Sequence, residues 1–488
     1  MKALGRYADS FERYARELSN TMKFRFLGLG FLWAWIYATW FTPVLFPSST
    51  GLTINNDVSW FVSSAVVALT LFVMPAVLGD RNISTLPIVP ALAGPLTSLG
   101  AMLMGSEALF GVESVALGIA GGVVTGIASG WLWMLAGEFT GEVDQELTEL
   151  FVPLCVVVPA LVMLGTMFAS GPAAALAICL LPTLAGFLLV LSLKDDAVIR
   201  PVELLPVEDR PPYMRDFVRV GIGSLALYAC FGFVWGVMDY GAVVSWGNSH
   251  LFWYEIGAIA AIVVAVLSIS YASHLDLFSL YRGLVPVVLF GLVLLAFPSS
   301  LARSASLALI TCAQYVYDVV IWIYFSRVAR RGVCSGSFAI GINRGFAQAG
   351  VVLGNLLALA TPALMASGTI TFTFITFLLS VIATSLLLLM LSRTDKLTRI
   401  MARETAPLPE SAPVDYDALC DQLAKSHGLT AREREILGFL ARGRSLPYIR
   451  DALVLSKNTV GTHVRNLYKK LDVHSKQELL DLFEEKEG

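Results

Sequence analysis

Two ionisable residues stand inside long apolar stretches in the second half of this chain. Asp318 lies in the apolar run 303–325 and Arg344 in the apolar run 338–360, at similar distances from the same predicted end. An ionised side chain is costly inside a lipid bilayer and usually faces a partner or a water-filled cavity. These two residues could therefore form a buried ion pair.

Other polar and aromatic residues lie on the same helical faces as Asp318 and Arg344 in these two runs, and a third such stripe lies in the apolar run 220–240. In helical bundles of this kind, polar residues usually face a cavity near the membrane midplane. We therefore predict a small-molecule pocket lined by Tyr228, Trp235, Gln314, Tyr315, Asp318, Arg344 and Gln348. The alternative is that the ion pair is a structural tie and that the aromatic residues only pack between helices.

A second candidate functional region lies near the C-terminus, in the stretch SKNTVGTHVRNLYKKL, residues 456–471. Apolar residues recur there at helical spacing and predict a core-facing stripe of Val460, Val464, Leu467 and Leu471. Residues 441–470 contain seven Lys or Arg against a single acid, Asp451. A narrow helix with small residues near its N-terminus and bases further along suits the major groove of DNA. A merely solvated helix face would more often mix both signs of charge.

The composition is that of a membrane protein. Hydrophobic residues make up 56% of the 488 residues, charged residues make up 15%, and the mean hydropathy is +0.71. Soluble domains carry roughly 25% charged residues. The six cysteines form no CxxC motif and accompany no histidine cluster, so buried thiols are favoured over a disulfide or a metal site. No catalytic constellation is recognisable, and we expect neither enzymatic activity nor a cofactor.

The apolar residues form twelve stretches near the length of about 20 residues that a membrane span needs. The predicted spans are 25–46, 58–79, 86–105, 112–136, 150–169, 172–193, 220–240, 252–273, 281–297, 303–325, 338–360 and 370–391. Lys and Arg concentrate on one side, which includes the N-terminal segment 1–24, itself predicted to be an amphipathic surface helix. Both termini are therefore predicted to be cytoplasmic. The acidic connection 137–149 on that side is interpreted as a docking surface for a basic partner.

The connection 194–219 divides the predicted spans six and six. This arrangement resembles the major facilitator superfamily of transporters, whose halves are related by a pseudo-two-fold axis. The tripeptide GDR at 79–81 is similar to the start of that superfamily's G-x-x-x-D-R-x-G-R-R signature, although the later Gly and basic residues are missing here. The resemblance implies that the membrane domain 25–392 is a major-facilitator-like bundle.

The C-terminal region begins with a predicted linker, 393–428, and continues as a domain at 429–488 that carries four short predicted helices. Its stretch 429–482 resembles LuxR-type helix-turn-helix domains in its L-T-x-R-E start, S-x-x-T-V-x-x-H-V core and K-L-x-V-x-S end. The resemblance makes 456–471 the recognition helix. It implies base contacts by Gly461, Thr462 and Arg465 and phosphate contacts by Lys457, Thr459 and Lys469. A lysine is common in the family where Gly461 stands, so Arg465 is expected to carry more of the base recognition.

The whole chain resembles membrane-spanning LuxR-type regulators, in which a multi-span sensor is joined to this DNA-binding domain. The predicted fold is all-α, a twelve-helix transmembrane bundle followed by a small four-helix domain. The predicted partners are double-stranded promoter DNA, the lipid bilayer, an unknown small-molecule ligand and a second copy of the chain, and the predicted location is the bacterial cytoplasmic membrane. The alternatives are a major-facilitator-like transporter with a regulatory DNA-binding tail, and a tail that docks proteins without binding DNA.

Overall fold

The computed structural model of the chain describes most of its membrane region and part of its C-terminal region. The described residues are 23–47, 54–195, 197–206, 210, 213–239, 249–269, 277–297, 299–366, 368, 370–390, 416–441, 453, 457–471 and 473. The chain divides into two compact units, Met1–Thr405 and Ala406–Gly488. The predicted amphipathic segment 1–24 lies outside the described residues except for its last two positions.

The first unit is built from helices throughout its described residues. The α-helices are α1 (Gly28–Phe41), α2 (Ile54–Leu78), α3 (Val89–Met104), α4 (Ser106–Phe110), α5 (Val115–Glu142), α6 (Gln145–Leu154), α7 (Val157–Thr166), α8 (Pro172–Leu193), α9 (Met214–Asp239), α10 (Ser249–Ile269), α11 (Leu277–Leu295), α12 (Ser300–Arg330), α13 (Gly336–Ala366) and α14 (Phe372–Met390). Each predicted span coincides with one of these helices, except that the span 150–169 is divided between α6 and α7. Pro153 lies just before this break, and a proline ring removes a helical hydrogen bond and clashes with the preceding turn.

The apolar lengths of these helices fit a bilayer. Within the described residues, seven helices are long and apolar enough to cross a membrane, and four shorter apolar helices accompany them. Large hydrophobic side chains are exposed along them, for example Leu69, Ile119, Phe187 and Val263. A soluble protein would bury more of such side chains, whereas lipid tails solvate them. The first unit is therefore a multi-pass membrane domain.

Glycines allow α5 to lie directly against α2. A Cβ atom at Gly126 would lie 2.6 Å from the Cβ of Val66, and one at Gly130 would lie 2.7 Å from the Cγ2 of Thr70. Small residues at a regular spacing let two helix backbones approach closely in a membrane. The glycine strip of α5 is therefore a packing surface.

The two halves of the membrane domain meet at a second glycine contact. A Cβ atom at Gly336 would lie 2.5 Å from the carbonyl oxygen of Gly137. Beside this contact, Glu149 forms an ion pair with Arg327 at 2.5 Å, and Asp144 pairs with Arg330 at 2.8 Å. The acidic connection 137–149 thus binds arginines of the chain's own second half, which are the basic partner that its composition suggests.

The second unit has its own hydrophobic core. Its described helices are α15 (Tyr416–Ser426), α16 (Ala431–Ala441) and α17 (Lys457–Leu471). The core residues are Cys420, Leu423, Ile436, Leu437, Leu440, Val464, Leu467, Leu471 and Val473. The stripe predicted for 456–471 is confirmed at three of its four positions, and the side chain of Val460 is outside the description. Two of the four short helices predicted for 429–488 lie outside the described residues, apart from Leu453.

The helix α15 falls inside the segment 393–428 that the sequence predicts as a linker. Its residues Cys420 and Leu423 are fully buried in the core of the second unit. Arg434 of α16 also pairs with Asp421 of α15 at 2.7 Å. The folded unit therefore includes residues that precede the predicted boundary at 429.

Candidate functional site

Asp318 and Arg344 form the buried ion pair that the sequence predicts. Asp318 on α12 is 1% exposed and Arg344 on α13 is 9% exposed. The Arg344 Nη1 atom lies 2.5 Å from the Oδ1 atom of Asp318. Because breaking a buried pair leaves one charge without compensation, each residue strongly requires the other.

Two tyrosines complete the hydrogen bonding of the Asp318 carboxylate. Tyr228 on α9 donates to Oδ1 and accepts a 2.9 Å hydrogen bond from Nη1 of Arg344. Tyr37 on α1 donates to Oδ2 at 3.4 Å. Charge-assisted hydrogen bonds of this kind offset part of the desolvation cost of a buried carboxylate.

The guanidinium group of Arg344 also lies over the aromatic ring of Trp133. The Arg344 Cζ atom lies 4.2 Å from the ring centroid of Trp133 on α5, and 5.5 Å from that of Tyr228. A planar guanidinium is attracted to the negative face of an aromatic ring. Since Trp133 and Tyr37 belong to the first half of the domain, the cluster of Tyr37, Trp133, Tyr228, Asp318 and Arg344, called the central cluster here, joins both halves.

Trp133 is the member of this cluster that no sequence pattern indicates. A tryptophan in an apolar helix has the pattern of ordinary interhelical packing, and its partner is 211 residues away in the chain. Tyr37 carried a weak signal, because its hydroxyl group is polar in an otherwise apolar span. Only the packing of α1 and α5 against the second half brings these residues to the ion pair.

The other predicted pocket residues lie around an adjoining group of tyrosines. Gln314 donates from Nε2 to the Tyr37 hydroxyl at 3.3 Å. The hydroxyl groups of Tyr315 and Tyr254 are hydrogen bonded to each other, and the ring of Tyr254 lies 5.1 Å from that of Trp235. Gln348 is half-buried on α13. The structure therefore links six of the seven predicted residues through direct contacts or one intervening tyrosine.

Helix α17 carries all the residues predicted to contact DNA. Thr459 is half-buried, whereas Thr462 and Lys469 are exposed. The side chains of Lys457, Gly461 and Arg465 are outside the description. Val464 and Leu467 on one face of α17 are buried in the core of the second unit. The opposite face of the helix is therefore directed away from that core.

Thr430 and Glu433 form a capping box at the start of α16. Glu433 accepts a 2.8 Å hydrogen bond from the backbone N–H of Thr430, and the backbone N–H of Glu433 lies 3.3 Å from the Thr430 hydroxyl oxygen. Two N–H groups at the start of the helix thereby obtain acceptors. Arg432 donates to the carbonyl oxygen of Leu453 at 3.1 Å, which ties α16 to the region before α17.

The Glu433 carboxylate also binds the last turn of α17. Lys470 donates to Glu433 at 2.7 Å and to the carbonyl oxygen of Gly428 at 3.0 Å. Burial opposes ionisation of Glu433, but the hydrogen bonds from Lys470 and Thr430 outweigh it and hold the pKa of this carboxyl below its usual value. In the sequence Lys470 is only one of the seven bases of residues 441–470, and nothing there indicates its pairing with Glu433.

Comparison with known sequences concerns the second unit. Residues 427–483 match the GerE family, described as bacterial regulatory proteins, luxR family. The "Uncharacterized response regulatory protein YgeK" of Escherichia coli (strain K12) is 41% identical over 71 residues, which are 14% of this chain and 48% of that protein. The "Monoamine regulon transcriptional regulator" of Klebsiella aerogenes is 44% identical over 52 residues, which are 11% of this chain and 23% of that protein. The chain therefore spans about half the length, or less, of these curated relatives.

Comparison with solved structures concerns the first unit. A bacterial homologue of the iron transporter ferroportin, in an outward-facing state with soaked iron, has a TM-score of 0.54 at 14% identity and covers 76% of this chain and 100% of its own. The human organic anion transporter MFSD10 (TETRAN) has a TM-score of 0.52 at 13% identity, with 75% of this chain and 97% of its own covered. At these identities the likeness concerns the fold alone. The chain thus joins a major-facilitator-like membrane domain to a luxR-family helix-turn-helix domain at its C-terminus.

Proposed function

We propose that this protein is a membrane-embedded bacterial transcription regulator. Its membrane domain binds a small molecule, and its C-terminal domain binds promoter DNA. The observation that carries the proposal is the presence, in one chain, of a luxR-family domain and a transporter-like helical domain with a buried polar centre. Ionisable residues inside membrane spans often mark functional sites, which supports a sensing role for this centre.

The DNA-binding half of the proposal rests on α17. In helix-turn-helix proteins the N-terminal part of the second helix reads base edges in the major groove. We assign base contacts to Gly461, Thr462 and Arg465 and phosphate contacts to Lys457, Thr459 and Lys469. Arginine is the side chain that most often recognises guanine, through two hydrogen bonds, so Arg465 is the principal specificity residue.

The sensing half rests on the central cluster. Its members come from α1, α5, α9, α12 and α13, so a ligand that displaces one contact acts on both halves of the membrane domain at once. Packed helical domains respond to such changes by switching between discrete arrangements. The polar residues Gln314, Tyr315 and Gln348 line the proposed pocket beside the cluster.

Topology and assembly complete the proposal. The distribution of Lys and Arg favours the bacterial cytoplasmic membrane with both termini in the cytoplasm, where the second unit can reach the chromosome. The apolar residues Leu479, Leu480 and Phe483 near the C-terminus support a homodimer contact, because paired half-sites require two recognition helices. Two tails tethered to neighbouring membrane domains meet at a high effective concentration, so a weak interface is sufficient.

The proposal is tested by mapping where the tagged full-length protein occupies the chromosome of its source bacterium. We expect discrete promoter peaks for the wild-type protein and for Lys425→Ala, which removes an exposed base from α15. We expect the peaks to disappear for Arg465→Ala combined with Lys469→Ala. An occupancy map without peaks for the wild-type protein would reject promoter binding.

A transporter with a regulatory tail is the second candidate, because both solved structures compared above are transporters. The two candidates differ in what the membrane domain does without the tail. A transporter truncated after α14 accumulates substrate in vesicles, whereas a sensor truncated there has no output. Transcript profiles of a deletion strain identify the compounds to be offered to the vesicles.

A further inference from the structure

Of the buried polar atoms of the membrane domain that have no hydrogen-bond partner among the described residues, three lie on α12 and on two helices that pack against it, α9 and α10. They are the Oε1 atom of Glu255 on α10, the Nε1 atom of Trp235 on α9 and the Oγ1 atom of Thr311 on α12. More than 90% of buried polar groups in proteins are hydrogen bonded, so each exception calls for an explanation. Glu255 is the most demanding of the three, because it is only 8% exposed and carries a carboxyl group.

The three atoms border one region. The ring of Trp235 lies 5.1 Å from that of Tyr254, the residue before Glu255. Thr311 lies against the same helix, since a Cβ atom at Gly257 would be 2.8 Å from the Cβ of Thr311. The hydroxyl group of Tyr254 is hydrogen bonded to that of Tyr315 on α12. Trp235 contacts Tyr254, Glu255 follows Tyr254 in the chain, and Thr311 lies one helical turn before Tyr315, so the three unsatisfied residues lie beside the Tyr254–Tyr315 pair.

Aromatic rings dominate this region. Phe41 stacks on Trp235 with the ring centroids 4.0 Å apart, and it lies 6.0 Å from Tyr254. Tyr37 lies 5.0 Å from Tyr315 and 6.0 Å from Tyr254. The faces of such rings attract organic cations, most strongly where water is excluded.

Among the described residues, no positive charge compensates Glu255. The two ions of the central cluster neutralise each other through the contact between Asp318 and Arg344. Glu255 takes part in no ion pair among the described residues. A buried carboxylate is stabilised chiefly by a positive partner that also donates hydrogen bonds.

We infer that Glu255, together with the rings of Phe41, Trp235 and Tyr254, forms the binding site for a small organic ammonium ion with an aromatic body. The ammonium group donates to the unpaired oxygen of Glu255, and the aromatic body packs against the rings. The inference rests on the proposed function, since it names the chemical class of the ligand that the membrane domain senses. Because Tyr37 contacts both Tyr254 and Asp318, the site is connected directly to the central cluster.

The test uses the purified full-length protein in detergent and three probes with one phenyl ring and different charges. Phenethylamine is the cation, 2-phenylethanol is the neutral counterpart and phenylacetate is the anion. We expect phenethylamine to bind at least tenfold more tightly than the other two, as measured by tryptophan fluorescence and by the rise of the thermal unfolding midpoint. Equal binding of phenethylamine and 2-phenylethanol to the wild-type protein would overturn the inference without the use of any variant.

Two variants test whether Glu255 is the residue that causes the preference for the cation. Glu255→Gln keeps the shape of the side chain and is expected to abolish the preference for the cation while 2-phenylethanol binds as before. The matched control is Glu113→Gln, which removes an exposed acid from the membrane domain and should preserve the preference. A Glu255→Gln protein that elutes as the wild type does in size-exclusion chromatography and still prefers phenethylamine would overturn the assignment to Glu255.

This assay contains no DNA, so its outcome is independent of the proposed regulatory function. Loss of cation preference leaves promoter occupancy intact as a separate result. Cation binding without promoter occupancy would retain the site and reject the regulator.

Discussion

Lys470, in the last turn of α17, donates a 2.7 Å hydrogen bond to the carboxylate of Glu433, which caps the start of α16. The same lysine also binds the carbonyl oxygen of Gly428, just before that cap. The Glu433 carboxylate thus accepts a hydrogen bond from the backbone at the start of α16 and also binds α17, the helix that carries the residues predicted to contact DNA. The orientation of α17 therefore depends on the capping box of a different helix.

Glu433→Ala should destabilise the second unit by about 1–2 kcal/mol, because it removes the cap of α16 and the partner of Lys470. The free energy of unfolding is measured by urea titration of residues 406–488, which have their own core. The control is Glu435→Ala, which breaks the more exposed pair with Arg432 and should cost less than about 0.5 kcal/mol. Equal losses in the two variants would contradict the special role of Glu433.

The stability of the second unit should fall in acid because of the same residue. The pKa of Glu433 is lowered in the folded state from its ordinary value of 4.5, so the folded form binds fewer protons than the unfolded form as that value is approached. The contribution is fully present above the ordinary value and is lost as pH falls through the lower folded pKa. Glu433→Gln should therefore be less stable than the wild type at about pH 6, and the difference should shrink toward about pH 3. A difference that stays constant over this range would refute the linkage.

Removal of either charge of the buried pair should destabilise the membrane domain by about 3–5 kcal/mol, whereas removal of both should cost less than the sum. The variants are Asp318→Ala, Arg344→Ala and the double mutant, and thermal unfolding in detergent is the measurement. The control cycle uses Asp80 and Arg210, a pair at 2.7 Å whose aspartate is half exposed. Because Asp80 is half exposed, water screens this pair more than the buried one, so its cycle should be closer to additivity. Additive losses at Asp318 and Arg344 would count against their mutual dependence.

Two substitutions on α17 should affect DNA binding differently. Arg465→Ala should reduce discrimination between operator and unrelated DNA by about 1–3 kcal/mol, because a base contact is lost. Lys469→Ala should weaken binding to both DNAs alike and lower the salt dependence, because a phosphate contact is lost. Lys425→Ala, on α15, should leave both affinities unchanged. Uniform weakening by Arg465→Ala would reassign that residue to the phosphate backbone.

The sequence predicts the helices of the membrane domain well because the bilayer imposes a simple rule of length and hydropathy. The pairing of Asp318 with Arg344 is predictable for the same reason, since two isolated charges at equal depth have few other partners. Local signals also suffice for the capping box of Thr430 and Glu433, whose members are three residues apart. These features need no knowledge of how helices from different halves pack.

The contacts that the sequence does not predict are those made across the fold. Trp133 reaches Arg344 only through the packing of α5 against the second half, and no local pattern marks it. Helix α15 is short and follows three prolines, so its two buried residues, Cys420 and Leu423, do not stand out from a linker. Lys470 is predicted to belong to a basic surface because its charge, and not its partner Glu433, is visible in the sequence.

The burial of α15 in the second unit has a practical consequence for domain grafting. The family match begins at residue 427, which suggests a fusion point just before it. A chimera joined there would lack Cys420 and Leu423 and would expose Ile436 and Leu437, against which they cluster. Such a chimera is expected to aggregate, whereas one joined before Tyr416 carries every described core residue and is expected to remain folded when a sensor domain is fused to its N-terminal end.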